Sequence, residues 1–212
     1  MPQRLHRYTS FSSLVHMLLN KQITLLDPQG WDDRNDAYFL EAYRKKVTAE
    51  KVYALCFTEA QQKYHHWSVF ASGAEGVCIS FYKEKLIQAA SSADGFEFKK
   101  VKYIGARDAE KDVPFDDDGL KFTKNLRYSD EKEWRLVYTD RNGLARNPTV
   151  PFELEIIERI TISPWLAKPL ITSVRSTIKL IPECSRLKVN RSTLVDYKDW
   201  KSIADRSINP KQ

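Results

Sequence analysis

The chain is poor in cysteine and has no metal-ligand spacing around the three it carries. Cys56, Cys78 and Cys184 lie far apart, and none has a second Cys or a His at the separation that zinc or redox motifs use. Cys56 and Cys78 fall inside "YALCF" and "GVCISF", apolar runs that read as buried strands, so all three read as inert thiols. No apolar run is long enough to cross a bilayer. The basic start "MPQRLHRYTSF" lacks the apolar core and small-residue cleavage site of a secretory leader. These absences point to a reducing cytoplasm and away from a membrane. A G-x-G-x-x-G loop, a Walker loop, H-E-x-x-H and a nucleophile-elbow serine are missing as well. No internal repeat and no low-complexity segment stands out.

What is present suits one domain, 1–205, with a polar tail at 206–212. Lys and Arg total 34 against 28 Asp and Glu, a surplus of +6. That surplus favours a polyanionic partner such as a nucleic acid or a nucleotide. "RLHRYT" reads as a first strand, and "SFSSLVHMLLNKQ" as a helix capped by Ser10 or Ser12 with Leu14, Met17 and Leu18 on its apolar stripe. "QITLLDP" reads as a strand stopped by Pro28. "AYFLEAYRKKVTAEK" reads as a helix with Asp33 or Asp36 at its start and Arg44, Lys45 and Lys46 near its end, a polarity that suits the helix dipole. "VYALCF", "GVCISF", "FEFKKVKYI", "VPFEL" and "IERITISP" read as strands, "GVCISF" central because both its faces are apolar. "QKYHHWSVFASG", "KEKLIQAA" and residues 166–181 read as helices, and "SRLKVNRSTL" as a last strand. Residues 105–130 read as a loop with one helical turn, the acids Asp116, Asp117 and Asp118 forming a solvated turn. The pattern predicts an α+β fold with a mixed, mostly antiparallel sheet and packed helices.

Four stretches carry residues fit for chemistry. In "DEKEWRLVY" a strand from Glu131 sets Glu131, Glu133, Arg135 and Val137 on one face, and Lys132, Trp134, Leu136 and Tyr138 on the other. Two close carboxylates can divide roles, because proximity drives their pKa values apart. The plain alternative pairs Glu133 with Arg7 or Arg135 on a solvated face. In "LHRYTS", Arg7 shares a face with Leu5 and Thr9, and His6 with Tyr8. Arginine's rigid donor fork suits phosphate, and His6 can hydrogen-bond a ribose. "GWDDRND" clusters Asp32, Asp33, Asn35 and Asp36, but its spacing is not that of a calcium loop, and capping is the simpler role. The adjacent His65 and His66 point apart on a helix and make a poor metal pair. Trp67 and Phe70 read as a core face, with Tyr64 or His65 beside a groove. The basic stretches "YRKKVTAEK" and "RSTLVDYKDWKS" suit phosphate contacts or ordinary solvated faces.

In the order "LHRYTSFSSL", "NKQITLLDPQGWDDRND", "CFTE", "HWSVFASGAEGVCISF", "DEKEWRLVY" and "ITISP", the chain resembles the bacterial DUF2971 family over nearly its whole length. It departs from that pattern at Val69 and Phe70, where a His-Tyr pair is common, and at Ala37 and Tyr38, where Pro-Phe is usual. More distantly, the order of an early strand with His or Arg, a helix, a strand and a late strand with Glu resembles the ADP-ribosyltransferase fold, particularly its DarT-like branch. That resemblance implies NAD as cofactor, held by Arg7, with His6 as the alternative and with Tyr8 and Thr9 beside them. It implies Glu133 as the catalytic carboxylate, Glu131 as the first acid of a Glu-x-Glu pair that orients the acceptor, and a place in bacterial defence or toxin systems. The middle Ser-Thr-Ser or Tyr element of such enzymes has no clear match; Thr58 in "CFTE" stands nearest. Two rival classes remain: a non-catalytic nucleic-acid- or protein-binding module, and a metal-dependent hydrolase or nuclease built on the aspartates around Asp33.

Overall fold

The computed structural model describes residues 3–71 and 73–208. Its largest element is a seven-stranded sheet in the order β11-β10-β4-β1-β3-β8-β5. The strands are β1 (Arg4–Ser10), β3 (Lys51–Thr58), β4 (Gly76–Tyr82), β5 (Phe96–Lys100), β8 (Glu133–Asp140), β10 (Ile157–Ile162) and β11 (Val189–Arg191). Every pairing is antiparallel except β10 with β11. Two small sheets pair β2 (Gln22–Thr24) with β9 (Thr149–Pro151), and β6 (Lys102–Ile104) with β7 (Thr123–Asn125). The expected α+β, mostly antiparallel architecture is therefore present.

Helix α1 (Phe11–Asn20) starts where Ser10 Oγ accepts the Ser13 amide at 3.1 Å, and it buries Leu14, Met17 and Leu18 against the main core. Each such side chain contributes about 1.5–3 kcal/mol by leaving water. Helix α2 (Arg34–Lys46) is capped by Asp33, which accepts the Asn35 and Asp36 amides at 3.0 and 3.4 Å. α3 (Lys83–Ser91) follows β4, and α6 (Lys168–Leu180) follows β10. The core on one face of the sheet joins Leu5, Leu55, Phe57, Ile79, Phe81, Leu136 and Ile160. A smaller one, with Leu40, Tyr43, Val52, Ala54, Phe122 and Val137, lies under α2 on the other face. β4, flanked by β1 and β10, is buried on both faces.

Several expectations are corrected. "FEFKKVKYI" is two strands in different sheets, because the Val101 amide turns to bond the Glu133 carbonyl at 3.0 Å. Residues 105–130 hold more order than one turn: the short helices α4 (Ala106–Ala109) and α5 (Asp117–Phe122), then β7. Asp116 caps α5, while Asp117 pairs with Lys46 and Asp118 with Lys99, so these acids tie the segment down. The Trp67 segment is a wide π-type turn, His66–Phe70, and not an α-helix. A last helix, α7 (Lys198–Ile208), runs into the segment expected as a tail; residues 209–212 lie outside the described part. Among the described residues, no helix is long and apolar enough to cross a membrane.

The sheet forks at its centre. β1 pairs with β4 along its whole length but meets β3 only at His6 opposite Thr58. A continuous ladder would bring Ser10 opposite Ala54. Leu26 takes that place, and the Ala54 amide donates to the Leu26 carbonyl at 3.0 Å.

Candidate functional site

The fork brings the early and late motifs side by side. His6 stands opposite Thr58, and Thr58 opposite Glu133, so the three share one face on adjacent strands. At about 4.8 Å per strand, the His6 and Glu133 backbones lie about 10 Å apart. Thr58, the nearest residue to a middle motif, is between them. Its hydroxyl donates to the Glu131 carbonyl and accepts the Ala60 amide at 2.9 Å. His6 Nδ1 lies 3.0 Å from Ser80 Oγ. Burial first, then the Arg159 charge, lowers the His6 pKa to about 4, so the ring is neutral at pH 7.

Arg7 alternates to the opposite face, in register with Ile79. Half-buried at the fork, its Nη1 donates to the Cys56 carbonyl at 3.1 Å. Among the described residues no carboxylate pairs with this guanidinium, and burial lowers its pKa to about 10. Cys56 thus joins the two faces, since its thiol lies against the Glu133 carboxylate. Thr9 is buried opposite Val77. Tyr8, buried opposite Cys78, packs on His66 and Trp67 with ring centroids 5.3 and 5.2 Å away. Its Oη and both His66 nitrogens are buried without a hydrogen-bond partner among the described residues.

The carboxylates meet at two cations. Lys124 Nζ lies 2.8 Å from Glu131, 3.2 Å from Asp36, 3.3 Å from Glu133 and 3.8 Å from Asp33. Arg135, wholly buried, donates to Glu133 at 2.7 Å, to Asp36 at 2.8 Å and to the Lys121 carbonyl at 3.0 Å, with Trp31 over its guanidinium at 5.6 Å. Four acids face two bases. Burial raises the Asp36 and Glu131 pKa values, and Lys124 only partly offsets it at Glu131. At Glu133 burial also opposes ionisation, but Arg135 and Lys124 outweigh it and hold the carboxyl below its ordinary value. The two glutamates are therefore driven in opposite directions by burial and by their unequal share of the two cations.

The arrangement differs from the expected strand in two respects. β8 begins at Glu133; Glu131 ends a 3₁₀ turn, and Lys132, at φ 46°, bends the chain between them, yet both side chains still reach Lys124. The Glu133–Arg135 pair expected on a solvated face is buried beneath α2. Of the aspartates of "GWDDRND", Asp33 serves as cap and Asp36 as ion-pair partner, and among the described residues no group of three His, Cys, Asp or Glu is placed to hold a metal ion. His65 lies 3.4 Å from Asp130, and Tyr64 stacks edge-on to Trp165 at 5.1 Å. Lys124 was missed in the sequence because its stretch has no periodicity; Arg135 was visible two places after Glu133. Cavities of about 440 Å³ under α2 and about 330 Å³ beside β10 are not lined by Arg7, His6 or Glu133.

Residues 66–136, about a third of the chain, match the family described as "Protein of unknown function (DUF2971)". Among solved structures the chain is similar to Thermus sp. 2.9 DarT in complex with ADP-ribosylated ssDNA, at 17% identity and a TM-score of 0.46 over 94% of this chain and 96% of that one. It is similar also to Thermus sp. 2.9 DarT in complex with NAD+, at 13% identity and a TM-score of 0.46 over 94% of this chain and 97% of that one. A comparison with curated proteins finds no match.

Proposed function

We propose that this chain is an ADP-ribosyltransferase-like enzyme that uses NAD and modifies a nucleic acid or a nucleotide. The observation that carries the reading is Arg7: a guanidinium at the fork of the sheet, anchored by one carbonyl and, among the described residues, matched by no carboxylate. It lies on the face opposite Glu133, so NAD would have to reach both through the gap where β1 parts from β3. A half-buried, uncompensated donor fork fits one phosphate of a pyrophosphate. When bound, NAD would supply a ribosyl carbon that loses nicotinamide together with the bonding electron pair and gains a bond to an oxygen or nitrogen of the acceptor. Glu133, kept ionised by Arg135 and Lys124, would stabilise the positive charge developing at that carbon. Glu131, whose pKa is raised, is suited to accept the acceptor's proton. Neutral His6 hydrogen-bonds a ribose hydroxyl. Tyr8 and Thr9, buried on opposite faces, hold the strand just after Arg7.

Calorimetric titration with NAD tests this. Saturable binding is expected, lost in Arg7→Ala and retained in Glu133→Gln, which instead loses nicotinamide release. A folded protein that shows neither heat nor thermal stabilisation with NAD overturns the reading. One observation favours a second reading, a binding module without catalysis: Glu133 is only 3% exposed, and both its oxygens are held by cations. On that reading Glu133→Gln changes stability while nucleic-acid binding persists.

A further inference from the structure

The cavity of about 330 Å³ beside β10 and β11 has the chemistry of an anion site. Arg159 and Arg191 line it with Gln62, Ser192 and Thr193, and no carboxylate is among its lining residues. The Nε atoms of both arginines are buried and have no hydrogen-bond partner among the described residues. Their charges are weakly met. Arg159 Nε is 3.9 Å from Glu158, which is itself held by Arg4 at 2.5 Å. Arg191 Nη2 donates to the Pro164 carbonyl at 2.5 Å, a neutral acceptor that fixes the side chain without cancelling its charge. Asp196 acts on Arg191 from a distance but is bound to Lys201 at 2.6 Å. Ser192 Oγ donates to Gln62 Oε1 at 2.9 Å, which leaves the Gln62 NH2 group as a donor.

We infer that this pocket is a second anion site, separate from Arg7, that takes a phosphate ester of a nucleotide or of a nucleic-acid strand. Two guanidinium groups rule against a cation, and the polar lining against an apolar guest. Phosphate offers more acceptor oxygens than carboxylate and so matches the surplus of donors. The volume exceeds what a bare phosphate needs and leaves room for an attached sugar. Arg159 also stands in register with Ser80, and Ser80 with His6, on the face that carries Glu133. A strand anchored here would pass His6 after about 10 Å.

The experiment follows the arginine Nε–H resonances of the full chain by NMR while inorganic phosphate is added at constant ionic strength. It contains no NAD, so its result does not depend on the transferase reading. The Arg159 and Arg191 resonances are expected to shift saturably. In Arg191→Met and in Arg159→Met the affinity falls about tenfold, the loss of one charge-assisted contact. Arg175→Met, on the exposed side of α6, leaves it unchanged and controls for net charge. A mononucleotide that saturates these resonances more tightly than an unphosphorylated-end thymidine oligonucleotide identifies a nucleotide site; the reverse order identifies a strand site. Shifts that never saturate, or that chloride reproduces, overturn the inference, as does an equal response in all three variants.

Discussion

Burial favours the neutral form of a histidine wherever no anion compensates its charge. His66 is 1% exposed, and burial first, then His65 and Lys63, lowers its pKa to about 4; His6 falls to about 4 by burial and then Arg159. Both rings titrate near 6.5 when unfolded. The folded state therefore binds fewer protons below that pH. Their contribution is complete above about pH 6.5 and is lost as pH falls toward 4. At pH 5 the loss is about 1–2 kcal/mol per histidine. Urea midpoints at pH 7.5 and pH 5.0 measure it, and His66→Gln should show the smaller drop. Equal drops in the two proteins would refute a buried neutral His66. The adjacent "HH" was expected to point apart on a helix, but in the turn the two rings lie 4.4 Å apart between centroids, and which of them is buried depends on β1 packing Tyr8 against the turn.

Elements are joined through Arg135. It ties β8 to α2 through Asp36 and to the end of α5 through the Lys121 carbonyl. Removing it leaves Glu133 and Asp36 buried with Lys124 as their main counter-charge. Arg135→Met is expected to cost about 3–5 kcal/mol, read from chemical denaturation. A loss under about 1 kcal/mol would mean the cluster rearranges around Lys124. Neighbouring strands were legible from their alternation: Trp134, Leu136 and Tyr138 enter the core as their spacing requires. The elements of 105–130 were not, because they are short and are held by ion pairs to distant residues, Asp117 to Lys46 and Asp118 to Lys99, that leave no local period.

Across the whole molecule, the burial is concentrated in the sheet and its covering helices, and α7 contributes none of it. No residue of α7 is buried, and Trp200 is 71% exposed. Elements with little buried apolar surface add little to global stability. A chain ending at residue 197 is expected to melt within about 2 °C of the full chain by circular dichroism. A larger fall would mean that α7 supports the sheet. The surplus of +6 is likewise a property of the whole chain, and its effect on polyanion binding is long-range and screened by salt.

The sequence by itself determined the class of fold, the first helix with a serine cap at Ser10 or Ser12, the central place of "GVCISF" and the opposition of Glu133 to Trp134 across β8. These follow from periodicity and capping, which act between residues close in the chain. Only the tertiary structure decided that β1 parts from β3 after His6, that Leu26 fills the vacated edge, and that His6, Thr58 and Glu133 form one row. It also decided that Lys124 gathers four carboxylates and that Arg159 and Arg191 share a cavity. Register between strands and the meeting of charges from distant segments depend on which surfaces pack together. No local spacing encodes them.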